Sequence, residues 1–332
     1  MSSGEDRLVE RFGLERPIFQ APMAHIARAE LAGAVSKSGA LGSVGMLPSG
    51  DLVEQIGRAK EIAGGRSVAS GLLLPFTLRR HVEALVAARP AACILMDGTR
   101  PEVTARLREA GICVIHQVGS VAQAMRALRD GADVLVAQGV EAGGHVLGTE
   151  RGEVLLPRVL EIAKATPVLA SGGIAEAADV RSALERGASG VLVGTRFLET
   201  EEAVAHRAYK ARVLGATTTV VTRLFGIGWS QRHRVVPNEA TRRFCDEQGD
   251  VPAWVIALQR AMEPLARHVA FTRLQRLGRA RTSARFPLLA PASLHPGQDA
   301  AGVEYAPLYA GECARRIHAI EPAADVVRAL SR

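Results

Sequence analysis

Aromatic residues are scarce in this chain: Phe, Trp and Tyr together make up 4% of 332 residues. A surface that grips single-stranded nucleic acid stacks bases on interleaved aromatics, so the composition argues against that function despite a net charge of +7. The basic residues are nearly all arginine and spread along helix-like stretches, with Arg79-Arg80, Arg242-Arg243 and Arg315-Arg316 as isolated pairs. They read as a solvated basic face that draws in a small anion. No apolar run reaches the roughly 18 residues of a membrane-spanning helix. The opening residues Met1–Arg7 are polar, so no secretory signal is expected. Cysteine is sparse too. Cys93, Cys113, Cys245 and Cys313 form no C-x-x-C pair, and Cys93 and Cys113 sit in apolar runs as buried thiols would, so a cytoplasmic protein is expected.

What is plentiful is short apolar runs, each followed by a helix-like stretch. The strand candidates are Pro17–Gln20, Leu41–Val44, Val68–Leu74, Ala92–Met96, Ile112–Gln117, Val134–Gln138, Pro167–Ser171 and Gly190–Gly194. Continuous rather than alternating apolar character marks strands buried on both faces of a parallel sheet. Between them lie Arg28–Lys37, Asp51–Ala63, Leu78–Ala88, Pro101–Glu109, Val121–Arg129, Pro157–Lys164 and Glu176–Arg186, with apolar residues at helical spacing, as in Leu52, Ile56 and Ala59. This pattern predicts an α/β fold, a (β/α)8 TIM barrel, with an open doubly wound sheet as the alternative. The barrel is expected over residues 1–225, including a helix Ala203–Val213 and an extended Ala216–Phe225. A mainly helical appendage is expected over 226–306, with helices Glu239–Glu247 and Ala253–Leu277 followed by the Pro- and Gly-containing stretch Phe286–Tyr309. Residues 307–332, with a final helix Arg315–Leu330, are expected to pack back on the barrel.

Two loops carry the strongest chemical signal. Ser171-Gly172-Gly173-Ile174 follows the seventh strand, and Gly194-Thr195-Arg196 follows the eighth. In barrels this pair of loops often cradles a phosphate, because glycine permits a positive φ and close backbone N–H approach. FMN and a sugar phosphate both satisfy that reading. Gly39-Ala-Leu-Gly42-Ser-Val-Gly45 is no dinucleotide fingerprint: its glycines surround a strand, and no acidic residue ends the following strand. Gly45 is expected to let a ligand approach the strand end. His116 and Gln117 are expected near the barrel mouth, and Gln138 at the end of the sixth strand. His145 follows in Ala137-Gln-Gly-Val-Glu-Ala-Gly-Gly-His145, where an imidazole suits acid–base work. No second ligand stands at metal spacing beside it, so no metal is expected.

Pro17-Ile-Phe-Gln-Ala-Pro-Met23, the Ala137–His145 segment, Ser171-Gly-Gly-Ile174, Val193-Gly-Thr-Arg-Phe197 and the ending Pro307-Leu-Tyr-Ala-Gly311 resemble motifs of the nitronate monooxygenase family, FMN-dependent TIM-barrel enzymes. The resemblance implies that Ala21, Pro22 and Met23 lie beside the flavin ring and that Gln138 and Gly143 contact the ring or ribityl chain. Gly144 would give the ring clearance beside Gly143. Ser171, Gly172, Gly173, Gly194 and Thr195 would hold the phosphate, and His145 would be catalytic. It implies oxidation of a small anionic substrate, an alkyl nitronate, by O2 to a carbonyl compound and nitrite, and it allows a homodimer. Flavin-dependent enoyl-ACP reductases using NAD(P)H share most of these motifs, and a non-catalytic flavin or phosphate-ligand binder shares the cradle. Two positions depart from the family pattern: Gly71 stands where many members have a flavin-binding asparagine, and Asp97 places a carboxylate after the fourth strand.

Overall fold

A computed structural model describes residues 4–268 and 289–332. Its strands are β1 (Ile18–Gln20), β2 (Gly42–Val44), β3 (Val68–Leu73), β4 (Ala92–Met96), β5 (Cys113–Val118), β6 (Val134–Gln138), β7 (Gly144–His145), β8 (Val168–Ser171), β9 (Gly190–Val193), β10 (Val220–Thr222) and β11 (His233–Val235). Eight of them form one parallel sheet in the order β1-β9-β8-β6-β5-β4-β3-β2. The ends of that order meet: Phe19 bridges Leu41, with Leu41 N–H donating to the Ile18 carbonyl and Gln20 N–H to the Leu41 carbonyl, both at 2.9 Å. The Gln20 side chain completes the seam by accepting the Ser43 N–H at 2.8 Å. The sheet is therefore a closed (β/α)8 barrel, and the open-sheet alternative is excluded.

Side-chain alternation fills the barrel. Phe19, Leu41, Ala69, Ile94, Ile115, Val136, Leu169 and Leu192 converge in one buried cluster. A helix absent from the sequence-based expectation, Gly4–Phe12, adds Leu8 and Phe12 to it, with Phe12 edge-on to Phe19 at 6.0 Å. Burying each of these two side chains contributes roughly 1.5–3 kcal/mol. Cys93 and Cys113 are fully buried, and burial pushes both thiols up, Cys113 to about 12. Neither is reactive.

The chain forms two compact units. The first comprises Met1–Glu141, Leu147–Val204 and Ile320–Arg332, and the second comprises Ala142–Val146 and Ala205–Ala319. The expected boundaries at 225 and 306 thus differ from the observed ones. In the first unit the final helix, Ala323–Leu330, packs on the helices Ala29–Lys37 and Ala177–Glu185. It starts later than expected because Pro322 forces an extended entry, and Glu202 accepts the Ala323 N–H. The helix expected at Pro157 begins instead at Gly152, whose N–H donates to the Glu141 carboxylate.

The second unit contains helices Arg207–Leu214, Glu239–Phe244 and Ala253–His268, and Leu224, Phe225, Val235, Val255 and Leu289 form a buried cluster within it. The first of these starts later than expected because the His206 imidazole caps it, accepting the Ala208 N–H at 3.0 Å. Residues 269–277 of the expected helix and 286–288 of the following stretch lie outside the described residues. This unit also contains an unanticipated antiparallel sheet, β10-β11-β7. Its strands are two or three residues long, too short for a period-two pattern to register.

Candidate active site

In the first unit, register places the motif residues at the carboxyl ends of neighbouring strands. Gln20 aligns with Val193, and Gln138 with Ser171. The ladder extends past the strands: Ala21 N–H donates to Val193 and Gly139 N–H to Ser171, both at 2.9 Å. Ala21, Gly71, Gln138, Ser171 and Gly194 each share alternation parity with an inward-facing residue of their strand. Gly172 and Gly173 have φ of 113° and 73°, values that disfavour any side chain. Thr195 follows Gly194 and is buried. Asp179 accepts the Ala175 and Glu176 N–H groups at 2.8 and 3.0 Å, so those two donors are spent on capping the next helix.

Three sequence-based readings acquire a different physical reason. A Cβ at Gly71 would lie 2.4 Å from Cγ of Pro22, so the proline ring occupies the space an asparagine would need. A Cβ at Gly45 would lie 2.3 Å from the Met23 carbonyl, so the chain's own Met23–Ala24 backbone, not a ligand, requires that glycine. His116 has the opposite parity to Cys113 and Ile115, which line the barrel interior. It points away from the mouth, with Nε2 held at 2.9 Å by the Gly98 carbonyl. Gln117 keeps the inward parity.

The segment after β6 is anchored at several points within the first unit. Gln138 Oε1 accepts the Leu147 N–H at 3.0 Å. Gln123 accepts the Gly119 N–H at 2.6 Å and donates to the Leu147 carbonyl at 3.2 Å. The Glu141 carboxylate takes the Gly152 N–H with both oxygens, at 3.0 and 3.1 Å. Part of the Gln138 amide is thus committed to loop geometry.

His145 lies in the second unit, on β7, in register with His233 of β11. Its ring stacks on Trp229 with centroids 3.7 Å apart and planes 19° from parallel. Tyr309 and His233 flank it at 5.3 and 5.4 Å. The ring as a whole keeps partial exposure, but Nε2 is enclosed. Burial, reinforced by His233, holds the imidazole well below its ordinary 6.5, so it is neutral at physiological pH. His233 is neutral as well: Nδ1 contacts the Gln231 carbonyl at 3.1 Å, and Nε2 accepts the Phe225 N–H at 3.3 Å. Burial pushes it to about 3. A Cβ at Gly143 would lie 2.5 Å from the Gly311 nitrogen, so this glycine makes room for the Ala310–Gly311 backbone. Gly144 needs its glycine for a φ of 77°, with open space beside it.

Trp229, His233 and Tyr309 were missed as site residues. Only the rarity of tryptophan, two in the chain, and the Pro307–Gly311 motif hinted at them.

A model of the nitronate monooxygenase family matches residues 5–65 and 47–332. The chain belongs to the nitronate monooxygenase family. A nitronate monooxygenase of Pseudomonas aeruginosa is 32% identical over 270 residues, 65% of this chain and 76% of the relative. A (3aS,4S,5R,7aS)-5-hydroxy-7a-methyl-1-oxo-octahydro-1H-indene-4-carboxyl-CoA dehydrogenase of Mycobacterium tuberculosis is 32% identical over 252 residues, 71% and 67% of the two chains. Among solved structures, nitroalkane oxidase from Streptomyces ansochromogenes matches with a TM-score of 0.76 at 25% identity, covering 98% and 96% of the two chains. FabK from Thermotoga maritima has the same fold, with a TM-score of 0.77 at 24% identity over 98% and 94%.

As a member of the nitronate monooxygenase family the chain is an oxidoreductase, and the family implies a flavin cofactor. The donor set fits one. Two adjacent positive-φ glycines follow β8 and a Gly-Thr turn follows the neighbouring β9, a backbone arrangement suited to a phosphate. Among the described residues no cluster suits a metal, and no helix is long and apolar enough to cross a membrane.

Proposed function

We propose that this chain is an FMN-dependent oxidoreductase that oxidises alkyl nitronates with O2 to a carbonyl compound and nitrite. The observation that carries this reading is the neutral, ring-stacked state of His145 in a chain of the nitronate monooxygenase family. A nitronate already lacks its α-proton, so it asks for a hydrogen-bond donor and not for a strong base. A neutral imidazole supplies that donor without burying a second charge. A neutral nitroalkane would instead need a base, and a histidine of depressed basicity is poorly matched to that task.

In this reading Gly172, Gly173, Gly194 and Thr195 hold the FMN phosphate, with Ser171 closing the turn. Ala21, Pro22 and Met23 flank the ring. Gly71 contributes backbone only, since Pro22 fills its side-chain space. Gln138 serves through whatever amide capacity Leu147 leaves, and Gly143 and Gly144 set the path of the His145 segment. The flavin, when bound, supplies the electron acceptor for the substrate and the donor for O2.

Anaerobic mixing tests the reading. Ethylnitronate is expected to bleach the bound flavin while NADH leaves it unchanged. Fast bleaching by NADH with no response to nitronate would overturn it in favour of a reductase. The resemblance to the M. tuberculosis carboxyl-CoA dehydrogenase, as strong as that to the nitronate monooxygenases, favours one second reading, dehydrogenation of an alicyclic acyl-CoA. Bleaching by such a thioester alone would establish it. Mass analysis of the released flavin separates FMN from FAD.

A further inference from the structure

Tyr309 lies in the Pro307–Gly311 segment, for which the proposed reaction has no task. Its main chain is fixed: its carbonyl accepts the Tyr209 hydroxyl at 2.7 Å, and it bridges Val235 in antiparallel fashion. The preceding residue is tied down as well, with the Val236 N–H donating to the Leu308 carbonyl at 2.8 Å. The ring is thereby held against His145, tilted 47° at 5.3 Å, and edge-on to His233 at 5.8 Å.

At the tip of this fixed ring is a hydroxyl that is enclosed by protein and has no hydrogen-bond partner among the described residues. The neighbouring rings do not serve it. Both nitrogens of His233 are spent on backbone groups, and the Trp229 indole is a donor with nothing to accept a phenolic proton. A buried hydroxyl without a partner is costly, and phenylalanine would fill the same space without that cost. The hydroxyl therefore points to a ligand. Its character is set by the donor: burial pushes the phenol above its ordinary 10, so it stays protonated and donates across the whole working range.

We propose that Tyr309 is an oxyanion-binding residue of the active site, its O–H donating to the same small anionic group that His145 meets. The class of ligand is a planar anion with paired oxygens, a nitronate or a carboxylate, for which two neutral donors on adjacent rings are suited. The buried Arg234 is not the anion's partner, because Glu312 already neutralises it at 3.1 Å. The proposal rests on the reading that His145 faces the substrate.

Propionate, an unreactive carboxylate, is the probe. It is titrated into full-length, flavin-loaded protein while the visible spectrum of the bound flavin is followed. Tyr309→Phe preserves the ring, and the loss of a donor to a charged oxygen is expected to weaken propionate about ten-fold, with flavin content unchanged. Tyr309→Met, which also lacks a donor, is expected to move the affinity the same way. Equal affinity in wild type and Tyr309→Phe overturns the proposal, as does a wild type that does not bind propionate. A wild type inert towards nitronates whose propionate affinity still depends on Tyr309 removes the reaction and leaves this site. Intact nitronate turnover with an affinity indifferent to Tyr309 does the reverse.

Discussion

The ends of β8 and β9 carry two left-handed glycines and a Gly-Thr turn; around His145 stand an indole, an imidazole and a phenol. The first arrangement depends on backbone conformation, which short local motifs encode. The second depends on side chains from distant parts of the chain meeting at one point. A cradle of the first kind holds a phosphate whatever the rest of the ligand is. A cluster of the second kind sets the basicity and orientation of one group. On the proposed function, holding the cofactor and choosing the chemistry fall to different kinds of structure.

The largest effect that would sharpen this contrast is a separation of cofactor retention from turnover. His145→Ala is expected to lose about 10²–10⁴-fold in kcat/KM for nitronate while the purified protein stays fully flavin-loaded. Equal loss of flavin and of rate would break the distinction. Gly71→Asn probes the backbone side. Its side chain must displace the Pro22 ring, whose Cγ lies 2.4 Å from the added Cβ, so a loss of about 1–3 kcal/mol in stability is expected. A lowered melting temperature together with weaker flavin retention in dialysis would fit. A variant that gains both would mean that the family's asparagine contact is available here after all.

The third effect is a pH dependence belonging to the ring cluster. His145 and His233 are both neutral and depressed in the folded state, His233 to about 3, against an ordinary 6.5 when unfolded. Arg223 helps to lower His233, the charge of Arg234 is matched by Glu312, and the protonated Tyr309 carries none. Below pH 6.5 the unfolded chain takes up protons that the folded chain refuses. Stability from these rings is therefore complete above that pH and falls as pH drops towards 3, by up to about 1.4 kcal/mol per unit for each ring. Denaturant titrations between pH 7 and 5 measure the slope, and His233→Gln should flatten it. The smallest effect is on the loop anchor. Glu141→Gln weakens a cap on the Gly152 N–H and is expected to cost about 1 kcal/mol in chemical denaturation, with flavin content unaffected.

This division also explains what could be read from the sequence. The eight barrel strands were legible because burial on both faces writes a continuous apolar run, and the glycine turns proposed as a phosphate cradle, Ser171-Gly-Gly and Gly194-Thr, follow two such runs directly. His145 was visible as a candidate from its glycine-rich setting. Its neighbours were not: β7 is two residues long, and its pairing with β11 leaves no periodic trace. The reason for Gly143 was equally hidden, since the atoms it avoids belong to Ala310 and Gly311. Gly45 and Gly71 show the converse, as glycines beside a ligand-like motif that clear space for the chain's own Met23 and Pro22.

The bond from the Tyr209 hydroxyl to the Tyr309 carbonyl spans 100 positions, and His145 lies further upstream still. During synthesis the histidine therefore leaves the ribosome long before the rings that surround it. The surroundings that depress its basicity, burial and His233 among them, are all made later. Its chemical character is acquired late, by loop closure over a long contour and not by local folding.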